Sequence, residues 1–162
     1  MQFQKTQRIN ANIDEVWEVV AHQFADVGKW SSAVQSSGPN LEASIPDGAE
    51  VGGRVCATEF GDLRETFTHY DEAGKTFTFE VSGMPSFITL ARNRVVAAPA
   101  GANATDVSLN ISMETNTIGK VMGPMFAIKL KSTLNGFLDE LKMYVEDGTV
   151  SSRKQKQLAK AA

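Results

Sequence analysis

Apolar and polar residues alternate from Phe3 to Ile9, with Phe3, Lys5, Gln7 and Ile9 on one side and Gln4, Thr6 and Arg8 on the other. This pattern predicts a polar, edge-like first strand. Asn12 then stands where a helix N-cap is needed, and Glu15 is placed to reach back to its amide. Ile13, Val16, Trp17 and Val20 follow at helical spacing, so a helix is expected to run to about His22 or Gln23. A second short helix is expected over Ala25 to Ser31, with Trp30 near its end.

The stretch from Ser36 to Gly53 turns rich in Ser, Gly, Pro and Asn, and Gly38-Pro39 and Pro46-Asp47-Gly48 are turn signals with room for a short strand between them. Five strands are predicted next: Arg54 to Phe60, Leu63 to Tyr70, Lys75 to Ser82, Phe87 to Ala97, and Thr105 to Thr115. Their connections are short, which favours an antiparallel meander over parallel crossover units. Phe77, Phe79 and Val81 share one strand face, and Val107, Leu109, Ile111 and Met113 share another, so the sheet has one dry side. The strand Phe87 to Ala97 has too few apolar markers to assign its inner face.

A cover for the dry side is present in the sequence. Phe126, Leu130, Leu134, Phe137, Leu138, Leu141, Tyr144 and Val145 recur at steps of three and four, predicting one long amphipathic helix. Gly123-Pro124 is expected to mark its N-terminus or a kink, and Gly136 a close approach by another element. The whole reads as one α+β domain over residues 1–148, followed by a basic tail, 149–162, expected to be flexible.

Composition narrows the function. At 162 residues with 42% hydrophobic and 22% charged residues, the chain is large enough for a sizeable core and ordinary for a globular domain. A net charge of −3 gives no general footprint for nucleic acid. The tail from Ser151 carries Arg153, Lys154, Lys156 and Lys160 and no acid, and is expected to be solubilising. The single Cys56 excludes an intrachain disulfide, and the N-terminus lacks the apolar run of a secretory signal, so a cytoplasmic location is expected. With only His22 and His69 as imidazoles, no metal-type spacing or serine-triad motif arises, and no cofactor loop is present.

Specific motifs add a resemblance. Ile13-Asp14-Glu15-Val16-Trp17-Glu18-Val19-Val20 followed by Trp30, then Val51-Gly52-Gly53-Arg54-Val55, then Leu63-Arg64-Glu65-Thr66-Phe67 with Asp71 and Phe77-Thr78-Phe79, and finally Phe137-Leu138-Asp139-Glu140-Leu141, resemble the SRPBCC (START and birch-pollen-allergen-like) superfamily in its polyketide cyclase/dehydrase-like branch. The resemblance implies a helix-grip fold: a curved antiparallel sheet wrapped around a long C-terminal helix, with two short helices near the N-terminus. It also implies an internal cavity for a small hydrophobic ligand, polyketide-, lipid- or aromatic-like; whether the chain is a monomer or homodimer stays open.

Trp30, Phe60, Phe67, Phe79, Met84, Phe87, Met113, Met122, Met125 and Phe126 are the expected cavity lining, since rings and adaptable thioethers suit an irregular apolar guest. Glu65, Phe67 and His69 share a strand face by parity, and Phe67 argues that this face points inward. Glu65 and His69 are therefore the candidate acid–base pair, with the alternative that His69 lies in solvent and Glu65 meets a cross-strand Arg or Thr; Arg64, Arg92 and Arg94 are the partners considered. Three readings remain open at this point: a ligand-binding protein, a cyclase or dehydratase, and a protein-interaction module with a filled core and an exposed apolar patch.

Overall fold

In the computed structural model, which describes residues 1–161, the predicted meander closes into a seven-stranded, wholly antiparallel sheet. The strands are β1 (Gln2–Ile9), β2 (Val34–Pro39), β3 (Gly53–Thr58), β4 (Gly61–Asp71), β5 (Thr76–Ser82), β6 (Ile88–Pro99) and β7 (Thr105–Thr115), in the order β1-β7-β6-β5-β4-β3-β2. The helices are α1 (Ile13–Trp17), the long α2 (Thr117–Asp147) and a terminal α3 (Ser152–Ala161). The sheet grips α2, which is the helix-grip arrangement. Among the described residues no helix is long and apolar enough to cross a membrane.

The caps follow the sequence. Asn12 accepts from the amides of Asp14 and Glu15 while Glu15 accepts from the Asn12 amide, a complete capping box. After Trp17 the expected first helix loosens into a π-type turn over Glu18–His22, and the expected second short helix is a 3-10 segment over Phe24–Lys29. Gly53 enters β3 so close to β4 that a Cβ there would collide with the backbone of Glu65, which explains a glycine at that position.

Three expectations about the C-terminal part are corrected. α2 begins at Thr117, so of the two readings of Gly123-Pro124 the helix N-terminus is excluded, and Pro124 lies inside the helix, where a kink was the other expectation. Gly136 faces open space, with nothing within 4 Å of where its Cβ would be, so no element approaches it. The tail expected to be flexible forms α3, anchored by Lys154. That side chain is 0% exposed and its Nζ donates to the Val34 carbonyl at 2.8 Å. Desolvation holds the Lys154 pKa below its ordinary value, opposed by Glu140. Glu140 itself is buried and accepts from the Ser32 amide at 2.7 Å and the Ser151 hydroxyl at 2.5 Å, knitting α2 to both neighbours.

A polar knot ties the N-terminal helical segment to the β4–β5 turn. Glu72 accepts from Trp17 Nε1 at 2.8 Å, Tyr70 OH at 2.9 Å, Lys75 Nζ at 3.0 Å and His22 Nε2 at 3.1 Å. Burial works against the carboxylate, but the four donors outweigh it and hold the Glu72 pKa at about 2. Because this lies below the unfolded value, the contribution to stability is complete above about pH 4.5 and is lost as pH falls toward about pH 2. The side chain is 38% exposed, so screening cuts the contribution to about 1 kcal/mol. A Glu72→Gln variant is expected to lose that acid-side slope, which urea titrations at pH 6 and pH 3 will measure; an unchanged slope would assign it to other carboxylates.

Candidate functional site

The dry face of the sheet is not filled solid. Buried apolar residues form two groups, one around Trp17, Phe24, Phe77 and Leu138, the other around Ile88, Ala91, Ile111 and Leu130. A cavity of about 150 Å³ is lined by members of both. Its floor is Phe79 and Val81 of β5, Ala91, Asn93 and Val95 of β6, and Ile111 and Met113 of β7; its roof is Leu130, Leu134 and Phe137 of α2. Cavities of about this size hold a single benzene ring when their walls are apolar.

A charged pair, Arg54 and Glu65, lies in this mainly apolar wall. β3 and β4 pair Arg54 directly opposite Glu65, and the Arg54 Nε–H donates to Glu65 Oε2 at 2.5 Å, both side chains about nine-tenths buried. Arg54 Nη1 also donates to the Phe24 carbonyl at 3.0 Å, and its guanidinium lies 3.9 Å from the centre of the Phe24 ring. Two strand positions along, Cys56 lines the same cavity; burial pushes its thiol up to about 11, against the lowering influence of Arg54. Trp30 lines the cavity as well, 3% exposed and packed on Phe137 at 4.9 Å between ring centres. Its indole N–H is, among the described residues, the buried side-chain polar atom without a hydrogen-bond partner.

At one end of the cavity Phe126 meets Phe60 and Phe87, with ring centres 5.4 and 5.6 Å apart, and Lys129 Nζ stands 5.1 Å from the centre of Phe60. This aromatic cluster joins the start of α2, the β3–β4 turn and the loop before β6.

A family model for polyketide cyclase/dehydrase and lipid transport matches residues 1–146. The chain belongs to that family. Solved structures agree on the fold. A START superfamily protein from Mycobacterium smegmatis superposes with a TM-score of 0.73 at 17% identity, covering 91% of this chain and 99% of that one. The Zhui aromatase/cyclase from Streptomyces sp. R1128 gives 0.67 at 14% identity, with 93% and 99% covered. Ara h 8.0201 gives 0.67 at 14% identity, with 90% and 97% covered. No curated protein matches the chain.

Within this polyketide cyclase/dehydrase-like chain, the residues singled out from the sequence separate into distinct places. Trp30, Phe60, Phe79, Met84, Met113 and Glu65 line the cavity. Phe67 is buried behind it, against Phe24 and Phe77, while Phe87 and Phe126 belong to the aromatic cluster at its end. Met122 and Met125 lie on the outer side of α2, 47% and 73% exposed.

His69 departs from the parity argument. A bulge between Phe67 and His69 shifts the register, so Tyr70 takes the inward place against Trp17 and Phe77 and His69 is exposed. Glu65 and His69 therefore do not face one another. Of the arginines considered for Glu65, Arg64 pairs with Glu42, Arg92 with Glu80, and Arg94 reaches Thr76. The partner is Arg54, whose inward position was hidden because the apolar neighbour, Val55, points out. β6 turns Ala91, Asn93 and Val95 inward, settling the face that its sequence left unassigned.

Proposed function

We propose that this chain binds a small, mainly apolar molecule in the cavity between sheet and α2, with one polar group of the ligand set toward Arg54, Asn93 and the unpartnered Trp30 N–H. The observation that carries the reading is a mainly apolar cavity of about 150 Å³ whose lining includes the Arg54–Glu65 pair, Asn93 and Trp30, the last with an unpartnered indole N–H. Binding is favoured over acid–base catalysis by the state of the candidate groups. Glu65 is engaged by Arg54, His69 faces away, and a Cys56 thiol near 11 is neutral at pH 7. The aromatase/cyclase among the structural neighbours keeps a catalytic reading in view, with Glu65 as its acid or base.

Denaturing extraction of the purified chain, with native mass spectrometry before and after, tests the proposal. The expected result is a released organic molecule that accounts for the added native mass, retained by Glu65→Gln because the amide oxygen still accepts from Arg54. Retention with loss of a measurable turnover would move the assignment to an enzyme. A bare native mass in a chain that also takes up no one-ring aromatic compound would overturn the binding reading.

A further inference from the structure

The first half of α2 is apolar on both sides. Gly119, Gly123 and Leu130 are buried against the body, the glycines close to Phe87, Thr115 and Met1. Ile118, Val121, Met122, Met125 and Ile128 recur at steps of three and one around the opposite side and are between 47% and 82% exposed. Five large apolar side chains on one helix face form a patch of the kind that single soluble domains seldom leave uncovered.

Charge around the stripe is one-sided. From Thr117 to Leu138 the helix carries Lys120, Lys129 and Lys131 and no carboxylate, in a chain whose formal charge is −3. Glu59 is paired with Lys129 at 3.4 Å, and Glu114 stands two residues before the helix cap Asn116. Lys120 and Lys131 make no ion pair among the described residues. Farther along, Ser132 and Gly136 share a groove with Glu59, Glu140 and Arg153 of α3, and Asp139 of α2 and Lys156 and Lys160 of α3 are exposed.

We infer that this outer face of α2, with α3 beside it, docks on an anionic lipid bilayer surface. Apolar side chains on one helix face enter the boundary between headgroups and acyl chains, while the surrounding lysines meet lipid phosphates. A second copy of the chain fits less well, since a two-fold contact through the stripe would bring the two sets of lysines together. The inner side of the same half-helix carries Phe126 and Leu130, at the aromatic cluster and the cavity roof. Docking there places the end of the cavity against the bilayer, so an apolar guest can pass between the two without crossing water. That last step rests on the proposed cavity function; the docking itself does not.

Flotation of the full chain with vesicles tests the inference. The chain is expected to float with vesicles of mixed phosphatidylcholine and phosphatidylglycerol, poorly with phosphatidylcholine alone, and less as salt is raised. Val121→Glu/Ile128→Glu, and separately Lys120→Glu/Lys131→Glu, are expected to weaken binding by about tenfold or more. Both sites are exposed, so these variants should keep the wild-type circular dichroism and toluene uptake, which separates failure of docking from failure of the cavity reading. Equal flotation of wild type and variants would overturn the inference. So would absence of flotation, and a concentration-dependent dimer abolished by the same substitutions would then reassign the face to self-association.

Discussion

Replacing Glu65 with leucine is expected to destabilise the fold by about 3–5 kcal/mol, whereas Arg54→Met/Glu65→Leu together should recover most of that loss. The asymmetry follows from where the pair lies. Both side chains are about nine-tenths buried against an apolar cavity, and each is the other's ion-pair partner. Removing the carboxylate strands a guanidinium that cannot reach water, with the Phe24 carbonyl and ring as partial support. Those contacts set the effect toward the lower end of the range. Removing both charges leaves aliphatic chains of similar volume in an apolar wall, a change that is often neutral. Urea unfolding of the two single variants and the double variant measures the coupling; equal losses in single and double variants would mean that the pair is not buried as described.

The second large effect concerns Ala91, a 2%-exposed alanine that lines the cavity from β6. In a solid core, enlarging such a residue forces neighbours from their rotamers and costs about 1–3 kcal/mol. Here the new side chain has a void to enter. Ala91→Phe is therefore expected to change unfolding stability by less than about 1 kcal/mol while abolishing uptake of a one-ring ligand, because the cavity holds about one ring. A loss of stability in the overpacking range with ligand uptake intact would show that the space lies elsewhere.

Long, regular elements were legible because their periodicity extends over many residues. The alternation of Val107, Leu109, Ile111 and Met113 places β7, and the steps from Leu130 to Leu141 place the gripping part of α2. The Asn12–Glu15 capping box was equally readable, since it depends on residues three apart. Single-residue irregularities were not. One bulge after Phe67 reverses the parity that put His69 inside, because a shift of one position moves every later side chain to the other face. Arg54 escaped notice for a related reason: β3 turns a charged residue inward and Val55 outward, contrary to the rule that hydrophobicity marks the inner side. Lys154 follows the same pattern, since nothing in a basic tail signals that one of its lysines is enclosed by carbonyl groups of β2.

The central claim, an apolar cavity between sheet and α2 that accepts a guest, is tested most directly by methyl NMR during titration with toluene. Saturable shifts are expected at Ala91, Ile111, Met113, Leu130 and Leu134, and their disappearance in Ala91→Phe. Absence of saturable change at those methyls, or changes confined to Ile118, Val121 and Ile128 on the outer face of α2, would contradict it.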